Sequence, residues 1–380
     1  MSLKRCCKWP YFFAGLSLLT ALGFAQAQQG LSNEQLIRIA KPESPQIELE
    51  TTIYKPEGEG PFPLAILNHG KSKGNPKLQA RYRPKAAISY FLQRGYVVML
   101  PMRQGFSNSG GTFRYSKCNP GTHGLEQAQD IKTVLDYAIT QPYIDKNNIV
   151  LVGQSHGGLS ALAAGTLNYS GVKGILNFAG GLREMNCNIW ESTLINAVTA
   201  YGKAVKVPSL WFYGDNDSYF PPQLWRAMYE GYRAGGSNTR LVAFGKFAND
   251  AHSLFSSRKG ESIWGPETSA FLAQLGLPVQ IQFPQYSLPP LLPRPAKTAF
   301  AALAERDAIP FIGQTGRAAY QKFLNSPLPR AFAIGSNGAW GWAAGGEEAL
   351  DQAMANCGQY GKGKCTLYAV DNDVVWEEAK

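Results

Sequence analysis

Apolar positions in the central part of this chain alternate between two spacings. Short, nearly continuous apolar runs fall at Thr51–Tyr54, Leu64–Asn68, Tyr96–Leu100, residues 148–152, Gly174–Phe178, Ser209–Tyr213 and Arg240–Phe244. Such runs read as strands buried on both faces. Between them lie segments of helical period. Leu125–Ile139 places Leu125, Ala128, Ile131, Leu135 and Ala138 on one stripe. Helices are also predicted over Lys85–Arg94, 157–167, Pro222–Ala234 and Pro266–Leu275. Strand and helix in alternation over residues 51–275 predict an α/β fold with a doubly wound, mostly parallel sheet.

The pattern changes on either side. Residues 28–50 are polar and read as a short lead-in, and the unit they open is placed at 28–275. Residues 276–297 are proline-rich without helical period, so they read as a linker or as chain laid over the surface. Residues 298–380 predict a small α+β unit: helices over Thr298–Arg306, Gly316–Leu324 and Glu347–Ala355, with strands at Arg330–Ile334, Trp340–Ala343, Thr366–Val370 and Val374–Trp376. Trp340, Trp342, Tyr360 and Trp376 leave two readings of this unit: a module binding an unknown partner, or a structural accessory with those aromatics in its core.

The first 27 residues form a targeting segment. Lys4, Arg5 and Lys8 precede the apolar run Tyr11–Phe24, and Ala25-Gln26-Ala27 fits a small-x-small cleavage site. The run is short for a membrane span, and the alternative to cleavage is an uncleaved anchor. Cleavage implies a periplasmic or secreted protein without a membrane span. Cys6 and Cys7 then leave with the leader. The four remaining cysteines allow three pairings, of which Cys118–Cys187 and Cys357–Cys365 are favoured for an oxidising compartment. A zinc site is disfavoured by irregular spacing and by the absence of histidine near the last two. Net charge is +10, from 37 basic and 27 acidic residues, but no Lys/Arg block is dense enough for a nucleic-acid patch. Hydrophobic content of 44% with 17% charged residues is that of a globular protein. Nothing in the sequence calls for a cofactor or metal.

Gly153-Gln154-Ser155-His156-Gly157 directly follows an apolar strand and opens a helix, the context of a nucleophile elbow. A serine hydroxyl needs a base, and the base needs an acid. Of four histidines, His252 is the expected base, in a loop after the last strand of the sheet. Asp217 is the expected acid, further into its loop than Asp215, which reads as a turn-former. The oxyanion donors are expected to be the backbone N–H groups of His156 and of Lys71, the latter set by Asn68-His69-Gly70. The Lys71 side chain reads either as solvated or as an attractor of anionic substrates. His69 is expected to shape the oxyanion loop, and His123 reads as a helix cap or surface residue. Residues 179–207 exceed a simple crossover and are expected near the site, with Trp190 and Tyr201 either lining a pocket or packing in the core.

Together with the Arg103-Gln104-Gly105-Phe106-Ser107-Asn108-Ser109-Gly110 loop, these motifs resemble the α/β-hydrolase superfamily, nearest its dienelactone-hydrolase-like and prolyl-oligopeptidase-like branches. The resemblance spans residues 51–275. It implies the order Ser155, Asp217, His252 and an acyl-enzyme mechanism. Dienelactone hydrolases proper use a cysteine nucleophile; Ser155 in its place favours a general esterase or peptidase-like hydrolase over dienelactone chemistry, and the leading expectation is an exported serine esterase acting on a small ester or acyl substrate. The alternatives are a serine peptidase and a non-catalytic binding protein on the same fold. Residues 330–376 loosely resemble a small secreted bacterial domain of unknown function.

Overall fold

The computed structural model describes residues 31, 33–359 and 363–378. The leader expected at 1–27 and Tyr360 lie outside the described residues. The elements run β1 (Glu34–Lys41), β2 (Ser44–Tyr54), β3 (Phe62–Asn68), α1 (Lys85–Gln93), β4 (Val97–Pro101), α2 (Pro120–Ala138), β5 (Ile144–Gln154), α3 (His156–Gly165), β6 (Val172–Phe178), α4 (Trp190–Ala204), β7 (Ser209–Tyr213), α5 (Pro222–Ala234), β8 (Thr239–Ala243) and α6 (Glu261–Gln274). The eight strands form one sheet in the order β1-β2-β4-β3-β5-β6-β7-β8. From β4 to β8 every pairing is parallel, while β1 and β2 add an antiparallel edge.

Period-two side-chain alternation divides the core between the two faces of the sheet. Leu64, Ile66, Ile149 and Leu151 pack beneath α2, α3, α4 and α5. Their neighbours Ala65, Leu67, Val150 and Val152 pack beneath α1 and α6, around Trp264 and Phe271. Chain order reverses between β3 and β5: after β3 the chain adds β4 on one side, and from β5 onward it grows on the other. In an open α/β sheet, the crevice outside the carboxyl ends of the strands at such a switch point is where ligands bind. Asn68 and Gly153, paired in register there, end β3 and introduce the serine turn.

Two expectations need correction. Residues 28–50 are not a simple lead-in: Glu34–Lys41 and Ser44–Tyr54 form a hairpin on the sheet edge. An edge strand stays largely solvated: in β1 only Ile39 and Lys41 are buried, and its apolar residues Leu36 and Ala40 are exposed, interrupted by Arg38. Thr298–Arg306 is not helical; a single 3-10 turn lies at Arg306–Ala308. Tertiary contacts override alanine-rich propensity. Thr298 N–H donates to the carbonyl of Val374 at 2.9 Å, and the Phe300 ring lies 4.4 Å from that of Trp376.

The proline-rich segment is laid over the surface. Gln282 and Phe283 donate N–H to the Gln93 carbonyl at 2.7 and 3.0 Å. Buried Tyr286 accepts from Ser89 Oγ through its carbonyl at 2.8 Å. Beyond it lie α7 (Gln314–Leu324), β9 (Arg330–Gly335), β10 (Trp340–Ala344), α8 (Ala349–Gly358), β11 (Cys365–Val370) and β12 (Asp373–Val374). The four strands form a separate antiparallel sheet, β10-β9-β11-β12. Trp376 is buried, while Trp340 and Trp342 are half-buried beside the core. Helix α8 starts two residues later than the sequence predicts: Gly345 and Gly346 adopt φ of 75° and 96°, and Glu347 and Glu348 turn their carboxylates toward the larger unit.

Candidate active site

Ser155 sits between β5 and α3 with φ 56° and ψ −125°. A non-glycine residue at such dihedrals costs on the order of 1–3 kcal/mol and persists where its surroundings force it. Close packing does so here. A Cβ at Gly157 would stand 2.1 Å from the Asn68 carbonyl oxygen, and one at Gly153 would stand 2.1 Å from the Gly157 oxygen. The serine backbone is held on both sides. Its N–H donates to Phe178 O at 2.9 Å, and its carbonyl accepts from Gly158 and Gly181 N–H at 2.8 and 3.0 Å.

The loops after β7 and β8 bring Asp217 and His252 together. Asp217 Oδ1 accepts the N–H groups of Tyr219 and Phe220 at 2.8 and 3.0 Å. That fixes the carboxylate and leaves Oδ2 3.0 Å from His252 Nδ1. A carboxylate partner at Nδ1 places the proton there, so Nε2 carries the lone pair. The Asp217 side chain is fully buried and that of His252 is 14% exposed. His252 lies in the 3-10 helix Ala251–Ser256, capped by Asp250, which accepts its N–H at 2.9 Å. Gln154 ties this loop to the serine turn. Its Nε2 donates to the His252 carbonyl at 3.0 Å, and its Oε1 accepts from Tyr82 Oη at 3.1 Å. Among the described residues no hydrogen bond joins Ser155 Oγ to His252.

Asp215 holds its loop through the backbone, its N–H donating to Gly245 O at 2.7 Å. The loop after β3 approaches the serine closely. A Cβ at Gly70 would lie 3.2 Å from Ser155 Cβ and 3.7 Å from Oγ. Lys71 follows, and His156 supplies the first backbone N–H of α3, one of the amides a helix start leaves without an internal acceptor. The Lys71 ammonium lies over the Phe113 ring, 5.7 Å from its centroid, and burial lowers its pKa.

Behind the two oxyanion candidates is a network that sequence reasoning missed. Arg103, fully buried, donates through Nη2 to the His69 carbonyl at 2.6 Å and to His156 Nδ1 at 3.0 Å. Its Nε donates to Gln127 Oε1 at 2.9 Å, and its backbone N–H to His69 Nε2 at 3.0 Å. His69 must then carry its proton on Nδ1, which donates to Gly70 O at 2.7 Å. By the same logic His156 is protonated on Nε2 and donates to His123 Nε2 at 2.7 Å. Burial, reinforced by Arg103, pushes His69 and His156 well below the ordinary histidine value and His123 to about 4. Burial brings Arg103 down to about 9. His123 is therefore not the helix cap or surface residue expected. Its ring stacks on that of His156, 4.9 Å between centroids. The Arg103 loop in the superfamily-like motif was the available signal, but its partners are too distant in sequence to identify.

Cys118 and Cys187 form a disulfide, as do Cys357 and Cys365. The first joins two loops beside the site. Glu184 of one accepts Cys118 N–H of the other at 2.9 Å, and Phe113 packs edge-on against His123 and His156. Residues 179–207 approach the site through their first residues: Gly181 N–H donates to Ser155 O at 3.0 Å, and Arg183 Nη1 donates to the Ser218 carbonyl, next to Asp217, at 3.4 Å. Tyr201 is buried, its hydroxyl donating to Gly121 O at 2.6 Å. Trp190 is half-buried, 5.8 Å from the Arg183 guanidinium. Among the described residues no helix is long and apolar enough to cross a membrane.

Residues 82–170 match the model of the prolyl oligopeptidase family, a stretch that contains both the Arg103 loop and the serine elbow. Among solved structures, the chain is similar to a dipeptidyl aminopeptidase IV-like protein of Bacteroides ovatus. That match has 16% identity and a TM-score of 0.51, over 63% of this chain and 35% of that one. It is also similar to an acylaminoacyl peptidase of Pyrococcus horikoshii (19% identity, TM-score 0.48, 66% of this chain) and spans 43% of that protein's length. An esterase of Pyrococcus furiosus matches at 14% identity and TM-score 0.46, over 63% of this chain and 92% of that one. The fold is α/β-hydrolase-like, a mostly parallel eight-stranded sheet with helices on both faces.

Proposed function

We propose that this α/β-hydrolase is an exported serine esterase with Ser155 as nucleophile, His252 as base and Asp217 as acid. The observation that carries the reading is the Asp217–His252 contact at 3.0 Å, placed at the same sheet end as a serine in a left-handed turn. His252 Nε2 takes the hydroxyl proton as Ser155 Oγ attacks the acyl carbonyl. Buried Asp217 holds the imidazole tautomer and stabilises the imidazolium. The N–H groups of His156 and Lys71 receive the oxyanion, and α3 adds its N-terminal partial positive charge. The imidazolium returns the proton to the departing alcohol, and water then releases the acyl group by the same route in reverse. The apolar leader and the two disulfides support export to an oxidising compartment.

The match of residues 82–170 to the prolyl oligopeptidase family favours amide hydrolysis as the second reading. Fluorophosphonate labelling tests the enzyme assignment. Wild-type protein should label, and S155A should not, with kcat on esters lower by about 10⁶-fold in a folded protein. Unlabelled, folded wild-type protein would refute it. Side-by-side turnover of p-nitrophenyl esters and aminoacyl p-nitroanilides then decides between ester and amide.

A further inference from the structure

The small C-terminal unit touches the larger one at the segment that follows His252. Glu347, in the Gly345-Gly346-Glu347-Glu348 loop between β10 and α8, accepts from three consecutive residues. Its Oε2 takes the Ser257 hydroxyl at 2.9 Å and the Lys259 N–H at 3.3 Å; its Oε1 takes the Arg258 N–H. Glu348 pairs with Lys85, the first residue of α1, at 2.5 Å, and lies 3.9 Å from Arg258. The contact is a clasp of two adjacent carboxylates, one on backbone amides and one on side-chain cations. Charge-assisted bonds to backbone N–H groups are the stronger kind.

The clasped residues are the direct continuation of the 3-10 helix that carries His252. Ser257 N–H closes that helix by donating to Ser253 O at 3.1 Å. The helix start is fixed by Asp250, which accepts the Ser218 hydroxyl at 2.6 Å and Ser218 N–H at 3.1 Å. Its middle is fixed by buried Leu254 and Phe255. Its end is held from outside the hydrolase fold, by Glu347. We propose that Glu347 is a positioning residue and that the C-terminal unit serves as a clamp setting His252 against Ser155. This rests on His252 being the base. It gives the unit a role in catalysis without requiring it to contact substrate, and it explains why the loop spends two glycines of positive φ and two carboxylates at one spot.

The test uses the full chain with E347A and E347Q. Three quantities are read: kcat and KM on an ester the wild type turns over, the rate of fluorophosphonate labelling, and amide hydrogen exchange over residues 251–260. A small displacement of a catalytic group is costly in rate, so E347A should lose about tenfold in kcat and in labelling rate. KM should stay within about twofold, because substrate contacts are untouched. Exchange over 251–260 should rise while residues 148–154 keep their protection. E347Q, which keeps one acceptor oxygen, should fall between and decides the matter if E347A does not fold. Folded E347A with wild-type kcat and labelling overturns the proposal, whether or not exchange rises. S155A in the same assay separates the two claims. If S155A keeps full turnover the triad reading fails, whereas the clamp fails on the response of residues 251–260 and of the turnover rate to Glu347.

Discussion

The three neutral histidines around Arg103 make the fold sensitive to mild acid, and His123 allows the effect to be isolated. Burial lowers its pKa from the ordinary 6.5 to about 4. Between those values only the unfolded chain takes up the proton. Stability from this group is therefore complete above pH 6.5 and lost as pH falls toward 4. Going from neutral pH to about pH 5 costs about 1.5 pK units, or about 2 kcal/mol, for this one histidine. His69 and His156, both fully buried and shifted the same way, lose stability in the same window. The perturbation is H123Q: a glutamine Oε1 can replace Nε2 as acceptor for the His156 proton, but it does not titrate. Urea unfolding of wild type and H123Q at pH 7.5, 6 and 5 provides the assay, and carboxylate titrations common to both proteins cancel in the difference. Relative to wild type, H123Q should gain about 2 kcal/mol between the first and last pH, with an unchanged m-value. A pH-independent difference would refute the neutral, proton-accepting role assigned to His123.

D217N should leave the loop intact through its Oδ1-type contacts but allow the wrong imidazole tautomer; kcat on esters should fall by about 10⁴-fold with little change in Tm. Removing the Cys118–Cys187 bridge, which closes a separation of 69 residues, should lower unfolding free energy by about 4 kcal/mol on loop entropy alone. Removing Cys357–Cys365, with a separation of 8, should lower it by only about 2–3 kcal/mol. Denaturant titration of the two double-serine variants checks that ranking.

What the sequence made legible follows burial. The apolar runs of β3 to β7 are covered on both faces, so they stand out, and α2 shows a one-sided stripe. The sheet edge showed only at Thr51–Tyr54, the end of β2; β1 and the start of β2 are half-solvated until Ile39 and Leu49, so polar residues interrupt their apolar positions. The Thr298–Arg306 error has the same root. Local propensity favoured a helix, but Thr298 is fastened to Val374 and Phe300 to Trp376, partners more than 70 residues away.

The site divides along the same line. Ser155 was readable because the turn imposes its own local sequence: Gly153 and Gly157 are required by contacts of 2.1 Å. The sequence favours Asp217 over Asp215 as the residue deeper in its loop, and for the proposed acid role the geometry also favours Asp217. Its Oδ1 is occupied by two N–H groups of the following residues, which orients Oδ2 outward to His252; Asp215 is 3.9 Å from surface Arg226 instead. The Arg103 network had no local signature. It is assembled from the ends of β3, β4 and β5 and the first half of α2, and its atoms satisfy one another in the core except for Arg103 Nη1 and His123 Nδ1, which are buried without a hydrogen-bond partner. A guanidinium that binds the carbonyl before Gly70 and the ring of His156 holds both sides of the proposed oxyanion pocket at once. Loss of Arg103 would therefore leave buried acceptors on both loops together, a coupling that no reading of either motif alone could supply.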